Sequence, residues 1–152
     1  MTNDEIAREL LGACSYVVLA TADAHGVPWA SPVWFAMEDH GELYWVSRPG
    51  ARHSLNIAVR PQIAMVVFDS TARPGSGQGV YMTATAEQLT DPDAIERGIA
   101  VFSRESVRAA AGEWDVHRVT GEAQLRLYRA NLHQCWILDP DTPSDVRVGV
   151  TP

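Results

Sequence analysis

The most constraining feature of this sequence is an unbroken apolar segment, Ile63-Ala-Met-Val-Val-Phe68, within a predicted strand at residues 62–70. The side chains of a strand point alternately to its two faces, so this strand is apolar on both of them. Such a strand has to be covered on both sides, either inside a barrel or at a subunit interface. We therefore expect the chain to fold around this segment as a barrel, an oligomer or both.

Composition and charge limit the class of protein. The chain has 152 residues, of which 46% are hydrophobic and 20% charged, and this favours one globular domain at residues 1–140 with a polar, loosely held tail at 141–152. The net charge of -7 argues against nucleic-acid binding. No apolar run is long enough to cross a membrane, and the N-terminus lacks the pattern of a signal peptide. We expect a cytoplasmic location.

Hydrophobic periodicity and turn signals predict an α+β domain, mainly antiparallel, built on a six-stranded barrel with short flanking helices. A capping box at Thr2 predicts a helix at residues 3–13, and Asp91-Pro92 predicts another at 94–102 that resumes at 105–111 after a break at Ser103. The first three strands predict an antiparallel meander. The predicted strands are 15–22, 27–38, 42–47, 62–70, 80–89 and 125–138.

Two prolines, Pro28 and Pro32, lie in the second predicted strand. Neither can donate a hydrogen bond to a neighbouring strand, so this strand is expected at a sheet edge or at a bulge. Either position leaves backbone groups free to meet something other than another strand.

A cationic segment lies between the third and fourth predicted strands. From residue 43 to residue 68 there is no Asp or Glu, yet Arg48, Arg52, His53 and Arg60 all fall there. The segment predicts a strand end at Ser47, a Pro-Gly turn and a short helix. The free N–H groups of a helix N-terminus and the bidentate fork of Arg both suit phosphate. We therefore expect this segment to hold the phosphate of a cofactor.

The same short helix predicts which side chains are buried. Its apolar positions, Ala51, Leu55, Ala58 and Val59, follow the spacing of one amphipathic face, and Arg52 and His53 fall off that face.

The basic residues restrict the chemistry further. All 12 of them are Arg and none is Lys, which excludes Schiff-base chemistry and a P-loop lysine.

Other constellations of reactive side chains are weak. No His pair has the spacing of metal ligands, so no metal site is expected, and Cys14 and Cys135 are predicted to be free thiols. Asp115 and His117 form a possible acid-base pair, but they are predicted to lie in a surface loop without a nucleophile. No side chain is assigned as a catalytic acid or base.

The order of three motifs is similar to that of a known family. The motifs are His-Gly-Val-Pro-Trp-Ala-Ser-Pro-Val-Trp34, Leu-Tyr-Trp-Val-Ser47 and Ala-Arg-His-Ser-Leu-Asn-Ile-Ala-Val-Arg-Pro61, followed by the apolar strand. Together they resemble the pyridoxamine-5′-phosphate-oxidase-like family of flavin-binding split β-barrels, best over residues 5–90. This resemblance implies FMN as the cofactor, an oxidoreductase acting on a small molecule, and a homodimer that shares the cofactor site between subunits.

The resemblance also implies roles for individual residues. Arg52 would hold the FMN phosphate, and His53 stands where the oxidases place a second basic residue, usually Lys. Val46 and Ser47 would line the ribityl chain and ring, and Gln78 matches a glutamine near the cofactor. The strand whose backbone runs along the isoalloxazine ring is matched by Ser31, Pro32, Val33 and Trp34.

Departures from the family pattern affect the substrate and the cofactor. Ser31 replaces an Arg that contacts the phosphate, Ala36 replaces a substrate-binding Lys, and the C-terminal Arg-His substrate motif is absent. Pyridoxamine phosphate is therefore a poor substrate candidate. The related deazaflavin (F420) reductases commonly carry Lys where His53 stands, which favours FMN.

Alternative assignments stay open. They are an F420-dependent reductase and a non-catalytic flavin or heme carrier or sensor, the heme ligand being His25, His40, His117 or His133. Trp34, Trp136 and Trp29 are candidates for the open face of the flavin.

Overall fold

The computed structural model describes residues 1–39, 41–143 and 145–152. These residues contain three α-helices and eight strands in one antiparallel sheet, so the α+β prediction is confirmed. The helices are α1 (Asn3–Ala13), α2 (Arg52–Val59) and α3 (Pro92–Arg108). The strands are β1 (Tyr16–Ala22), β2 (Pro28–Trp34), β3 (Ala36–Glu38), β4 (Glu42–Ser47), β5 (Gln62–Phe68), β6 (Gly79–Gln88), β7 (Arg126–Leu138) and β8 (Arg147–Gly149).

The order of the strands shows that the sheet curls. Neighbours follow the path β2-β1-β5-β6-β7-β4-β3, with β8 added beside β7. Strands β2 and β3 lie at opposite ends of this path, although only Phe35 separates them in the chain. In a flat sheet those ends would be about 29 Å apart, since neighbouring strands lie about 4.8 Å apart. Residues 34 and 36 are at most about 7 Å apart, so the two edges must meet in a barrel-like closure.

The predicted second strand is therefore two strands: the antiparallel pairings of the predicted meander are present, but they lie at opposite edges of the sheet. Strand β2 pairs with β1, whereas β3 pairs with β4 at the other edge of the sheet. The backbone N–H of Phe35 donates to the carbonyl of Ser15 at 3.2 Å, which fixes the point where the chain crosses between the edges. The proline argument is confirmed, because β2 is an edge strand.

The two longer helices begin where their capping residues predict. The side chain of Thr2 accepts from the N–H of Glu5, and the Glu5 carboxylate accepts from the N–H of Thr2. Asp91 caps α3 through the N–H of Ala94, with Pro92 at the first helical position. The predicted break at Ser103 is wrong, since α3 is continuous there. The Ser103 hydroxyl instead accepts from the N–H of Trp114 and holds the following loop.

Two apolar clusters form the interior. One fills the inside of the curled sheet and is covered by Ala7 and Leu11 of α1. The other lies between α3 and the β3-β4-β7 part of the sheet. Gly98 allows the close approach of α3 there, because a Cβ at this position would lie 2.6 Å from Cε1 of Tyr44. None of the helices in the described ranges is both long and apolar enough to span a membrane.

The C-terminal segment is held more firmly than predicted. Residues 147–149 form β8 along β7, and the N–H of Val150 donates to the Cys135 carbonyl at 2.9 Å. The N–H of Thr151 then donates to Asp4 of α1 at 2.8 Å. Val148 and Val150 pack on the first apolar cluster. These two valines supply the apolar contact that the polar composition of the tail concealed.

Candidate functional site

Helix α2 turns its polar residues inward, so the predicted buried face is wrong. His53 and Asn56 are buried, whereas Leu55 is 56% exposed and Val59 is 61% exposed. The inward orientation is stabilised by a hydrogen bond from the Asn56 amide to Thr21 Oγ1 of β1 at 3.0 Å. A buried polar group is costly only when it lacks a partner, and the sheet provides one.

The N-terminus of α2 carries no side-chain cap. Its capping position is Ala51, which has no side-chain acceptor, and no acidic residue lies in the first turn. The first N–H groups of the helix and its partial positive charge are therefore available to an anion.

Arg52 stands at this same helix end. Its side chain is exposed, and the guanidinium carbon lies 4.3 Å from the centroid of the Trp29 ring in β2. The ring therefore holds the guanidinium next to the uncapped helix end. Trp29 also lies on β2, so this contact joins the helix N-terminus to the edge strand.

His53 does not face outward as a second cation. It is 9% exposed, and its Nε2 lies 2.8 Å from Oγ of Ser47, which is 8% exposed. Burial lowers the pKa of His53 below the usual 6.5. Burial thus favours the neutral imidazole, at the position where the oxidases carry a second basic residue.

The remaining arginines of the cationic segment have different surroundings. The Nε of Arg60 donates to the carbonyl of Asp23 at 3.1 Å, which ties the end of α2 to the β1–β2 turn. Arg48 is exposed in the turn after β4. The pKa of Asp23 is lowered, mainly by the hydrogen bond from the N–H of Val27 and more weakly by Arg52. Arg52 is thus the basic residue that combines exposure with the helix end.

The four predicted residues of β2 lie along a free sheet edge. In the described part of the chain β2 pairs only with β1, so its outer edge has no strand partner. Pro32 is exposed, Val33 is buried, and Ser31 and Trp34 are half-buried. Trp34 meets Phe102 of α3 edge-on with ring centroids 5.0 Å apart.

Val46, at the end of β4, is half-buried and packs against the same apolar cluster under α3 as Trp34. The structure thus groups β2, the end of β4 and the start of α2.

Gln78 is not brought to this group within one chain. It precedes β6, where Gly79 pairs with Phe68 at the far end of β5, whereas α2 leads into the near end at Gln62. Six residues of strand place these ends about 20 Å apart. The Gln78 side chain instead donates to the Leu138 carbonyl at 2.8 Å and accepts from the Leu138 N–H at 2.9 Å.

Among the described residues, cavities lie on two sides of the sheet. One, of about 750 Å³, lies between the ends of α1 and α3 and is lined by Trp34, Cys14 and Arg104. The other, of about 760 Å³, lies beside β7 and β8 and is lined by His133 and Trp136. Each has the size of a small-molecule site. Because Trp34 and Trp136 line different cavities, the two do not form one surface within a single chain.

Sequence reasoning missed the residues that place α2. Thr21 and Asn56 fix the helix on β1, and Trp29 was considered only for the flavin face. A signal was available, because His53 and Asn56 are three positions apart and thus lie on one helical face. Two polar residues on one face, with Leu55 and Val59 on the other, fit a helix that buries its polar side.

Comparison with known proteins gives a family and a fold. The family model described as pyridoxamine 5′-phosphate oxidase matches residues 4–137. A search of curated proteins found no match.

Solved structures agree in fold. HutZ, the heme storage protein from Vibrio cholerae, is 20% identical with a TM-score of 0.68, over 88% of this chain and 92% of that one. A heme binding protein from Mycobacterium smegmatis is 17% identical with a TM-score of 0.73, over 98% of this chain and 57% of that one. A conserved hypothetical protein from Mycobacterium tuberculosis is 21% identical with a TM-score of 0.68, over 89% and 82%.

At these identities the structural matches establish the fold alone, whereas the family model covers most of the sequence. The chain belongs to the pyridoxamine 5′-phosphate oxidase family.

Proposed function

We propose that the protein is an FMN-binding oxidoreductase. The observation that carries this proposal is the exposed Arg52 at the uncapped N-terminus of α2, beside the free edge of β2. A phosphate monoester suits the first feature, because a guanidinium and backbone N–H groups provide a fork and a cradle of donors. A flat heteroaromatic ring suits the free edge of β2, since the ring edge presents donors and acceptors to the unpaired backbone groups of that strand.

The residues of this chain would bind and orient the cofactor. Arg52 and the first N–H groups of α2 hold the phosphate. Val46 lies along the ribityl chain, and Ser47, the last residue of β4, lies where that chain meets the phosphate. The backbone of residues 31–34 follows the ring. FMN, when bound, supplies the hydride or electron chemistry. Ala36 is buried under α3 at 1% exposure, which supports a substrate other than pyridoxamine phosphate.

Removal of the Arg52 charge tests the proposal. FMN titration of Arg52→Gln should show a Kd raised roughly tenfold to a hundredfold, the effect of losing a charge-assisted hydrogen bond. Arg48→Gln is the matched control, because Arg48 is exposed in the neighbouring turn. An Arg52→Gln protein that binds FMN as tightly as Arg48→Gln would refute the assignment. Competition between FMN and F420 on the wild-type protein distinguishes the deazaflavin alternative.

We also propose a homodimer, supported by an uncovered apolar face on β1 and β5. Val18 pairs with Val66 and Ala20 with Ala64, so the outward residues of the two strands form one surface. Tyr16 and Phe68, at its end, are 60% and 49% exposed. Strands β1 and β5 are interior strands of the sheet, and an apolar face that they expose is expected to be buried by another surface. A second copy also offers a route by which Gln78 of one chain could reach Arg52 of the other.

Sedimentation of Phe68→Glu tests the dimer. The wild-type protein should sediment at twice the chain mass and the variant at the chain mass, because a charge would be buried in the interface. Val107→Glu is the control, since Val107 is similarly exposed at 50% but lies on α3. A Phe68→Glu protein with the mass of the wild type would contradict this interface.

Heme is the second candidate ligand. It is favoured by the fold shared with a heme storage protein and a heme binding protein, and by His133 on the wall of the 760 Å³ cavity. His40 lies outside the described residues. His25, His117 and His133 are all exposed, and His133 differs from the other two in lining this cavity. Titration with hemin should then give a Soret band that shifts in His133→Ala and not in His117→Ala. Absence of any shift would exclude His133 as the ligand.

A further inference from the structure

The buried pair formed by Ser47 and His53 joins the end of β4 to the first turn of α2. Oγ of Ser47 and Nε2 of His53 lie 2.8 Å apart, and both side chains are more than nine-tenths buried. Ser47 is therefore held at the level of the helix N-terminus, where Arg52 also stands. The hydrogen bond between the two side chains can run in either direction, because either Ser47 Oγ or His53 Nε2 can carry the hydrogen.

Hydrogen-bond accounting separates two arrangements. A hydroxyl has one O–H to donate and lone pairs that accept, and a neutral imidazole donates from one nitrogen only. If Nε2 accepts, the single O–H of Ser47 is used on the imidazole and none is left for a ligand. If Nε2–H donates to Oγ, the O–H of Ser47 is free to donate elsewhere.

The proposed phosphate ligand decides between these two hydrogen-bond arrangements. Unprotonated phosphate oxygens only accept hydrogen bonds, so a phosphate beside Ser47 requires the free O–H. We propose that His53 is a positioning residue: its Nε2–H donates to Ser47 Oγ and directs the Ser47 hydroxyl toward a phosphate oxygen of the bound cofactor. This inference rests on the proposed function. His53 would orient Ser47, instead of attracting the phosphate by a positive charge.

Four variants test the coupling: Ser47→Ala, His53→Leu, the double variant and His53→Gln. Leucine fills the space without a donor, and the glutamine amide N–H can replace Nε2–H. Each protein is titrated with FMN and with riboflavin, which lacks the phosphate. A purely structural role for His53 would weaken the binding of both flavins equally.

The expected pattern is specific. Ser47→Ala and His53→Leu should each weaken FMN binding roughly tenfold, and the double variant should be no weaker than either alone, because both remove one coupled interaction. His53→Gln should stay within about threefold of the wild type. Riboflavin affinity should stay unchanged throughout. Independent effects that multiply in the double variant, or equal losses for FMN and riboflavin, would overturn the role of His53.

A measurement on the unaltered protein is independent of whether the variants fold. The ¹⁵N shifts of the His53 ring in FMN-saturated wild-type protein should show Nε2 protonated and Nδ1 bare, and the reverse tautomer would overturn the inference. Wild-type protein that binds riboflavin and FMN equally well would also overturn it. Wild-type protein that binds neither flavin would overturn the proposed function itself, and the role of His53 would fall with it.

Discussion

Gly98 provides the sharpest test of the packing between α3 and the sheet. It lies inside α3, where glycine is unfavourable by about 1 kcal/mol relative to alanine. Propensity alone therefore predicts that Gly98→Ala stabilises the protein. The structure predicts the opposite, because a Cβ there would lie 2.6 Å from Cε1 of Tyr44 and 2.9 Å from Cδ2 of Leu127.

The magnitude follows from how little these neighbours can move. Carbon atoms in contact are ordinarily at least about 3.5 Å apart, so α3 or the ring must shift by about 1 Å. Tyr44 is 2% exposed and its hydroxyl donates to Glu42 at 2.6 Å, which resists rotation of the ring. Overpacking of this kind costs about 3 kcal/mol at the upper end. After the gain in propensity, a net loss of about 2 kcal/mol remains.

Urea unfolding measures this loss, and thermal unfolding should show Tm reduced by about 4–8 °C. Gly12→Ala is the matched control, because Gly12 also lies in a helix but has no atom within 4 Å of its Cβ position. It should stabilise the protein by about 0.5–1 kcal/mol. If Gly98→Ala is as stable as Gly12→Ala, the close approach of α3 to Tyr44 is wrong.

Two further predictions concern titratable groups. Because burial lowers the pKa of His53 below 6.5, the folded protein binds fewer protons than the unfolded chain, so stability should fall as the pH drops below 6.5. Thermal unfolding from about pH 8 to about pH 5 should show a smaller fall in His53→Gln than in the wild type, and equal falls would contradict a buried neutral imidazole. Burial raises the pKa of both thiols, that of Cys135 to about 11. Cys14 is only half-buried and lies on a cavity wall, so one thiol per folded chain should react faster than the other with a thiol reagent. Cys14→Ser should abolish that rapid phase, and a rapid phase that survives would show that Cys135 is accessible.

The sequence predicted individual helices and strands better than it predicted which elements pack or pair with one another. The capping residues of α1 and α3 and the alternation of β6 depend on neighbours in the chain, and these predictions are confirmed. The split at Phe35 was not predicted, because β2 and β3 form a continuous apolar pattern whose two halves pair with strands far apart in the sheet. The inward polar face of α2 was missed for a similar reason, since Thr21 and Ser47 become its partners only after the sheet has formed.

For the candidate site, the sequence located the strand end and the helix but did not give the environment of each residue. Arg52 and His53 are adjacent in the chain, yet one is exposed against Trp29 and the other is buried against Ser47. Neighbouring residues of a helix point about 100° apart, so the two side chains enter different environments once one face of the helix is buried. Gln78 precedes the end of β6 that pairs with Phe68, about 20 Å along β5 from the end that follows α2, and no sequence pattern reports that distance.

Native mass spectrometry of the protein after incubation with excess FMN tests the central claim most directly, because it reports bound cofactor and assembly together. The account predicts an ion at twice the 16.6 kDa chain mass plus two FMN molecules. A chain that appears only as a monomer without FMN would contradict both the proposed flavin site and the proposed dimer.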